Sequence, residues 1–392
     1  MRNGRQDTAT LSIDLFCMRG IGILFVVVVH VLGVDALHGV RKLFLTDRAD
    51  LRVAADLIHS FNMAVMLMGS GVAVAAFGRA DVSLGDFLRK KVNRLLVPML
   101  VWAPVLFVMQ EVLRSKPQGL QGWFQVLLQL PMTWFPPYSI FWFVHALVGC
   151  TLLAWLFRRF AAPALGRWGD AVYFGLGVLL YLAVSAWAAS TSSALASYLE
   201  LILYWNRFFA LGLLVYPWLA PVSRAIQRQT IALQVMLPTG FLALVTLVYA
   251  VFPAEQYEVV RTINGPLGFC LLFSLVVVLR HQGSEWGALW KYVWSRLVFV
   301  GSISMAIYLF HLYFVVAARI ALERVLPEPL AGVHVALGIL VGCVGPWLIS
   351  VVFKGLPLFH WTLGQSAPTP KPPAIEEPPR DGLAAISLTP KM

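Results

Sequence analysis

The stretch RGIGILFVVVVH, Arg19–His30, decides how this chain is read. Ten uncharged and mostly apolar residues separate an arginine from a histidine. Followed outward, the apolar run covers about 13–34, close to the ~20 residues that a membrane-spanning helix needs. Ionisable groups inside such a span are costly and commonly mark a pathway or a site. The flanking sequence must therefore explain both the span and its two polar ends.

The whole chain repeats the pattern. Of 392 residues, 59% are hydrophobic and 12% are charged, against about 25% charged in soluble domains. The composition excludes an ordinary soluble globular protein and predicts an all-α, polytopic membrane protein. The net charge of +11 falls mostly between spans, so it reads as membrane flanking rather than nucleic-acid binding. Cys17, Cys150, Cys270 and Cys343 all sit in apolar runs. They read as small buried residues, not as a disulfide framework or a metal cluster. No small-x-small cleavage site follows the first run, which predicts an uncleaved first span.

Ten spans are predicted, at about 13–34, 54–77, 93–113, 140–158, 170–190, 197–218, 231–252, 262–281, 297–319 and 331–353. The N-terminus, the even-numbered connections and the C-terminal side carry nineteen Lys and Arg, against nine on the odd-numbered connections. The positive side is cytoplasmic, so both termini are expected in the cytoplasm, as ten spans require. Residues 1–12 are expected to form a short cytoplasmic N-terminal segment, 13–355 the membrane domain and 356–392 a Pro-rich, disordered cytoplasmic tail. SAPTPKPPAIEEPPRDG, Ser366–Gly382, is rich in Pro and charge and reads as disordered.

Arg19 and His30 are eleven residues apart, within about 20° of three whole helical turns, so they share a face about 16 Å long. Arginine suits phosphate through a bidentate fork. Histidine suits proton abstraction from a hydroxyl near neutral pH. A ligand with phosphates at one end, an extended arm and a reactive thioester at the other fits the pair, and acyl-coenzyme A has that form. The competing reading is a snorkelling arginine and a hydrogen-bonded core histidine. In FLRKKVNRLLVP, Phe87–Pro98, Lys90 and Arg94 lie at i and i+4 and could face one anion; plain positive flanking is the alternative. GSISMAIYLFHLY, Gly301–Tyr313, puts Ser304, Tyr308 and His311 on one face of an apolar span, facing protein or a cavity. His59 begins the second span and His145 lies in the fourth. Glu200 and Arg207 interrupt the sixth, each able to pair with another helix, structurally or functionally. The histidines are dispersed and no metal site is implied.

In order along the chain, these segments resemble the acyltransferase 3 family of integral membrane acyltransferases. The resemblance covers about 11–355 and rests on Arg19-x10-His30, FNMAVMLMGSG (Phe61–Gly71), RKKVNRLLVP (Arg89–Pro98), WFVHAL (Trp142–Leu147), NRFFALG (Asn206–Gly212) and SISMAIYLFHL (Ser302–Leu312). Two departures stand out. The family's aspartate sits three residues before the arginine, whereas Asp14 sits five before Arg19; and Met66, Leu67 and Met68 replace phenylalanines. The His59 region and the late Tyr-Leu-x-His span are also similar, more loosely, to glucan biosynthesis protein C, associated with succinylation of periplasmic glucans.

The resemblance implies transfer of an acyl group, commonly acetyl, from cytoplasmic acyl-CoA to a hydroxyl of an envelope or exported carbohydrate, in a bacterial cytoplasmic (inner) membrane. His30 would be the general base. Arg19, Lys90 and Arg94 would hold the CoA phosphates, and His59, Ser304, Tyr308 and His311 would line or support the site. Acyl-CoA is a co-substrate, with no permanently bound cofactor. The other expected partners are the carbohydrate acceptor, the bilayer and polysaccharide assembly or export proteins, with no nucleic acid. Acetyl or succinyl, and direct transfer or a covalent acyl-histidine, are left open. The rival class is a transporter or flippase for a lipid-linked sugar or small anion. Transporters often carry paired broken helices in two related halves, a pattern not visible here.

Overall fold

The computed structural model describes residues 2–35, 37–44, 48–79, 81–283, 287–326, 330–353, 356 and 362–363. Among them there is no strand. The helices are α1 (Arg2–Leu32), α2 (Ala49–His59), α3 (Asn62–Phe77), α4 (Leu84–Lys91), α5 (Val97–Ser115), α6 (Gly119–Gln129), α7 (Trp142–Phe160) and α8 (Ala162–Leu165). They continue with α9 (Gly169–Ser190), α10 (Ala194–Gln227), α11 (Ile231–Val251), α12 (Tyr257–Gly283), α13 (Gly287–Ser302), α14 (Ser304–Val325) and α15 (Ala331–Val352). Ten segments among the described residues are long and apolar enough to cross a membrane. They overlap all ten spans expected from hydropathy, because an apolar run of this length must keep its backbone hydrogen bonds within a helix.

The ninth span differs in its boundaries. It was expected at 297–319, but the helix breaks at Ile303 (φ −99°, ψ 10°) and the span is Ser304–Val325. Hydropathy is continuous across the break and conceals it. The preceding helix, α13, lies against α1, where Gly20 and Gly301 let the backbones meet. A Cβ on Gly20 would stand 2.1 Å from the Leu297 oxygen, and one on Gly301 would stand 1.9 Å from the Phe16 oxygen. Small residues at such crossings permit the close approach that packs helices in lipid. The entry to α5 is irregular as well. Val92–Leu96 form a π turn in which the Val97 N–H reaches the Val92 oxygen. Pro98, one residue on, has no N–H to give the Arg94 carbonyl, and such a gap favours a wider turn.

α1 is central, packed against α2, α3, α12, α13, α14 and α15. Asp14 fixes it to α12: Arg280 Nε donates to Asp14 Oδ1 at 2.8 Å and Arg280 Nη2 to Oδ2 at 3.3 Å. The same Nη2 donates to Ser223 Oγ on α10. Glu200 and Arg207 make no ion pair with each other. Glu200 accepts from Ser185 Oγ at 2.6 Å, while the Arg207 guanidinium lies over the rings of Tyr204 and Tyr181. Of the four cysteines, Cys17 and Cys150 are buried, but Cys270 is exposed on the bundle exterior, against the expectation that all are buried. Within an apolar span an outward-facing thiol meets lipid and needs no protein cover.

Candidate active site

Helical spacing delivers the polar residues of α1 to one stripe. Arg19, Ile23 and Val26 line a cavity of about 740 Å³, and His30 is the next residue on that face at i+4. From α3 come Met63, Met66, Ser70, Val74 and Phe77, and from α7 come Val144, Leu147, Thr151, Trp155 and Arg158. Phe143, also lining, is fifteen residues before Arg158, so the cavity extends ~22 Å along the helix axes at 1.5 Å per residue. The α13–α14 break supplies Ser302, Ile303 and Ser304, with Tyr308 one turn further on. A smaller chamber of about 180 Å³ adjoins it, sharing Arg19, Met66, Ser70, Ala73 and Phe77.

The charge in the cavity is of one sign. Arg19, Arg79, Lys90, Lys91, Arg94 and Arg158 line it, and among the described residues no acidic side chain does. Two of these are already paired: Arg158 with Asp170 at 3.3 Å and Arg79 with Asp81 at 2.7 Å. The Arg79 hydrogen bond holds the exposed Asp81 carboxyl below its ordinary value, so that pair persists at neutral pH. Arg19, Lys90, Lys91 and Arg94 have no carboxylate at ion-pair distance among the described residues. The wide turn before Pro98 carries Arg94 to the same wall as Lys90 and Lys91. A cluster of unneutralised cations in a recess is a ready anion site.

Arg19 is oriented from one side. Its Nε donates to Ser304 Oγ at 2.7 Å, and the residue remains exposed towards the cavity. At the far end of the stripe the His30 and His311 ring centroids are 4.9 Å apart at 68°. Each ring donates Nδ1–H to its own helix. His30 bonds the Val26 oxygen at 2.8 Å, and His311 bonds the Ile307 and Tyr308 oxygens at 2.9 Å. That pattern assigns the Nδ1–H tautomer and leaves each Nε2 lone pair free. His311 is fully buried, its Nε2 without a partner; His30 is half-buried. The cavity lining ends at Val26 and Tyr308, one turn short of both rings.

The structure thus gathers Arg19, Lys90, Arg94, Ser304 and Tyr308 around one cavity and seats His30 and His311 at its inner end. Tyr308 spends its hydroxyl on the Ile140 oxygen at 2.5 Å. His59 does not line the cavity; it is stacked on Tyr257 at 6.2 Å, within electrostatic reach of His30. His145 also lies elsewhere, with its Nδ1 3.0 Å from the Tyr198 hydroxyl. Sequence reasoning did not single out Lys91, Arg79, Arg158 or Leu363 as lining residues. The first three were visible as charge at the flanks of spans, but Leu363 carried no signal.

The acyltransferase 3 family model, described as an acyltransferase domain, matches residues 12–352. No curated protein and no solved structure matches the chain.

Proposed function

The chain belongs to the acyltransferase 3 family of membrane acyltransferases, and from that premise we propose an O-acyltransferase that takes its acyl group from cytoplasmic acyl-CoA. The acceptor is a hydroxyl of an envelope or exported glycan, and the site is a bacterial cytoplasmic membrane with both termini inside. The observation that supports this best is the cavity: unpaired cations towards one end and a free histidine lone pair just beyond the other.

Arg19, Lys90 and Arg94 hold the donor phosphates, with Ser304 fixing the Arg19 fork. Lys91 joins them as a fourth cation without a carboxylate partner. The pantetheine arm follows the α1 stripe, and the thioester stops beside Val26, one turn short of His30, so that the acceptor hydroxyl lies between them. The Nδ1–H bond to Val26 holds the ring so that Nε2 can take a proton. As His30 Nε2 removes the acceptor's hydroxyl proton, that oxygen attacks the thioester carbonyl. A C–O bond forms, the C–S bond breaks, and the departing thiolate takes the proton back from His30. The products are an ester and free CoA thiol. His311 packs edge-on against His30 and restrains it. The stacked His59 is outside the donor cavity and is assigned no step.

The test is an assay of purified protein in lipid nanodiscs with radiolabelled acetyl-CoA and succinyl-CoA. His30→Ala should retain CoA binding and lose ~100-fold or more in transfer, the usual contribution of a positioned base. Arg19→Ala should weaken CoA binding. A wild-type protein that binds neither donor, or that exports a glycan without acylating it, would favour a transport role.

A further inference from the structure

Two residues beyond the last helix return to the bundle interior. Thr362 and Leu363 are 6% and 2% exposed. Trp102 Nε1 on α5 donates to the Thr362 oxygen at 3.1 Å. That indole is itself fixed: its ring centroid lies 4.6 Å from Phe310, and its backbone oxygen accepts from the Tyr313 hydroxyl. Leu363 joins the apolar cluster of Ile23, Val26, Met99 and Ile307, and it lines the cavity. Phe310 immediately precedes His311, so the indole that anchors Thr362 stands at the depth of the inner end.

Towards the His30 end the described lining includes Ile23, Val26, Met63, Val144, Tyr308 and Leu363. The one hydroxyl in that set is committed to Ile140. An acyl group there meets hydrocarbon, and a terminal carboxylate would lose its hydration with no donor in return. We propose that the acyl group transferred is short and uncharged, and that Leu363, held by the Trp102–Thr362 bond, sets the upper limit of its length. This rests on the donor reading above, with phosphates at the cationic end. It also chooses acetyl over succinyl on the chemistry of the inner wall.

The wall is built from a different part of the chain than the anion site. Trimming Leu363 to alanine removes three carbons beside the reacting end and touches none of the cations. The freed volume should admit a longer acyl chain. One methylene in an apolar pocket discriminates by roughly 10-fold or more.

The experiment measures kcat/KM for acetyl-, butyryl- and succinyl-CoA with the full chain in nanodiscs. Wild type should prefer acetyl-CoA over both others. Leu363→Ala should raise the butyryl-to-acetyl ratio about tenfold, and Leu363→Met, of similar volume, should keep the wild-type ratio. The ratio is independent of how much of each preparation is folded, so lost stability cannot mimic the effect. Trp102→Phe, which releases Thr362, should shift the ratio in the same direction by less. A ratio unchanged in Leu363→Ala, or succinyl-CoA used as well as acetyl-CoA by wild type, overturns the proposal and leaves the acyltransferase reading standing. A wild-type protein that uses no acyl-CoA overturns both.

Discussion

At the residue scale, the arginine of the opening stretch depends on a serine 285 positions away. Ser304 Oγ accepts the hydrogen bond from Arg19 Nε–H and so aims the remaining guanidinium nitrogens at the cavity. Removing it leaves the charge but not its direction. Ser304→Ala should therefore raise the donor KM about tenfold, in line with ~1.5–3 kcal/mol for a hydrogen bond to a charged group. It should leave the maximal rate and thermal stability close to wild type. A loss of rate at saturating donor would instead place Ser304 nearer the chemistry. Asp14 is explained differently: buried, with Arg280 as its partner, it ties α1 to α12. No feature of the sequence linked positions 14 and 280; they meet only because two apolar helices cross there.

Among the elements, α3 and α10 pack backbone to backbone. A Cβ on Gly71 would stand 2.0 Å from the Phe209 oxygen, and one on Gly212 would stand 2.1 Å from the Met68 oxygen. In lipid no hydrophobic force holds helices together, so close backbone packing carries much of the association. Gly71→Ala should lower stability by about 1–3 kcal/mol or more, the range for overpacking a filled interface. Gly69→Ala, two residues away with open space around its Cβ position, should be neutral. Thermal unfolding of both variants in detergent makes the comparison. The α13–α14 break and the π turn at Val92–Leu96 also belong to this scale. Each interrupts a run that hydropathy reads as uniform, and each presents polar side chains to the cavity. Pro98 hinted at the second, whereas the first has no comparable mark in the sequence.

For the molecule as a whole, the decisive property is a recess whose described lining carries cations and no acids. Binding of a polyanionic donor there should weaken as salt rises, because screening shortens to ~3 Å at 1 M. The double variant Lys90→Gln, Arg94→Gln should raise the donor KM and flatten that salt dependence, with the rate at saturation retained. Equal salt dependence in variant and wild type would remove these two residues from the donor site. The ten spans and the all-α class were determined by the sequence alone, because hydropathy over ~20 residues leaves a lipid-embedded backbone no other economical hydrogen bonding. The shared face of Arg19 and His30 was equally legible, since the 3.6-residue turn fixes it locally. Which groups meet was decided only by tertiary packing. His30 finds His311, Arg19 finds Ser304 and Leu363 returns to the cavity wall. Such pairings depend on which helix faces are driven together, and local periodicity carries no record of a partner almost three hundred residues away.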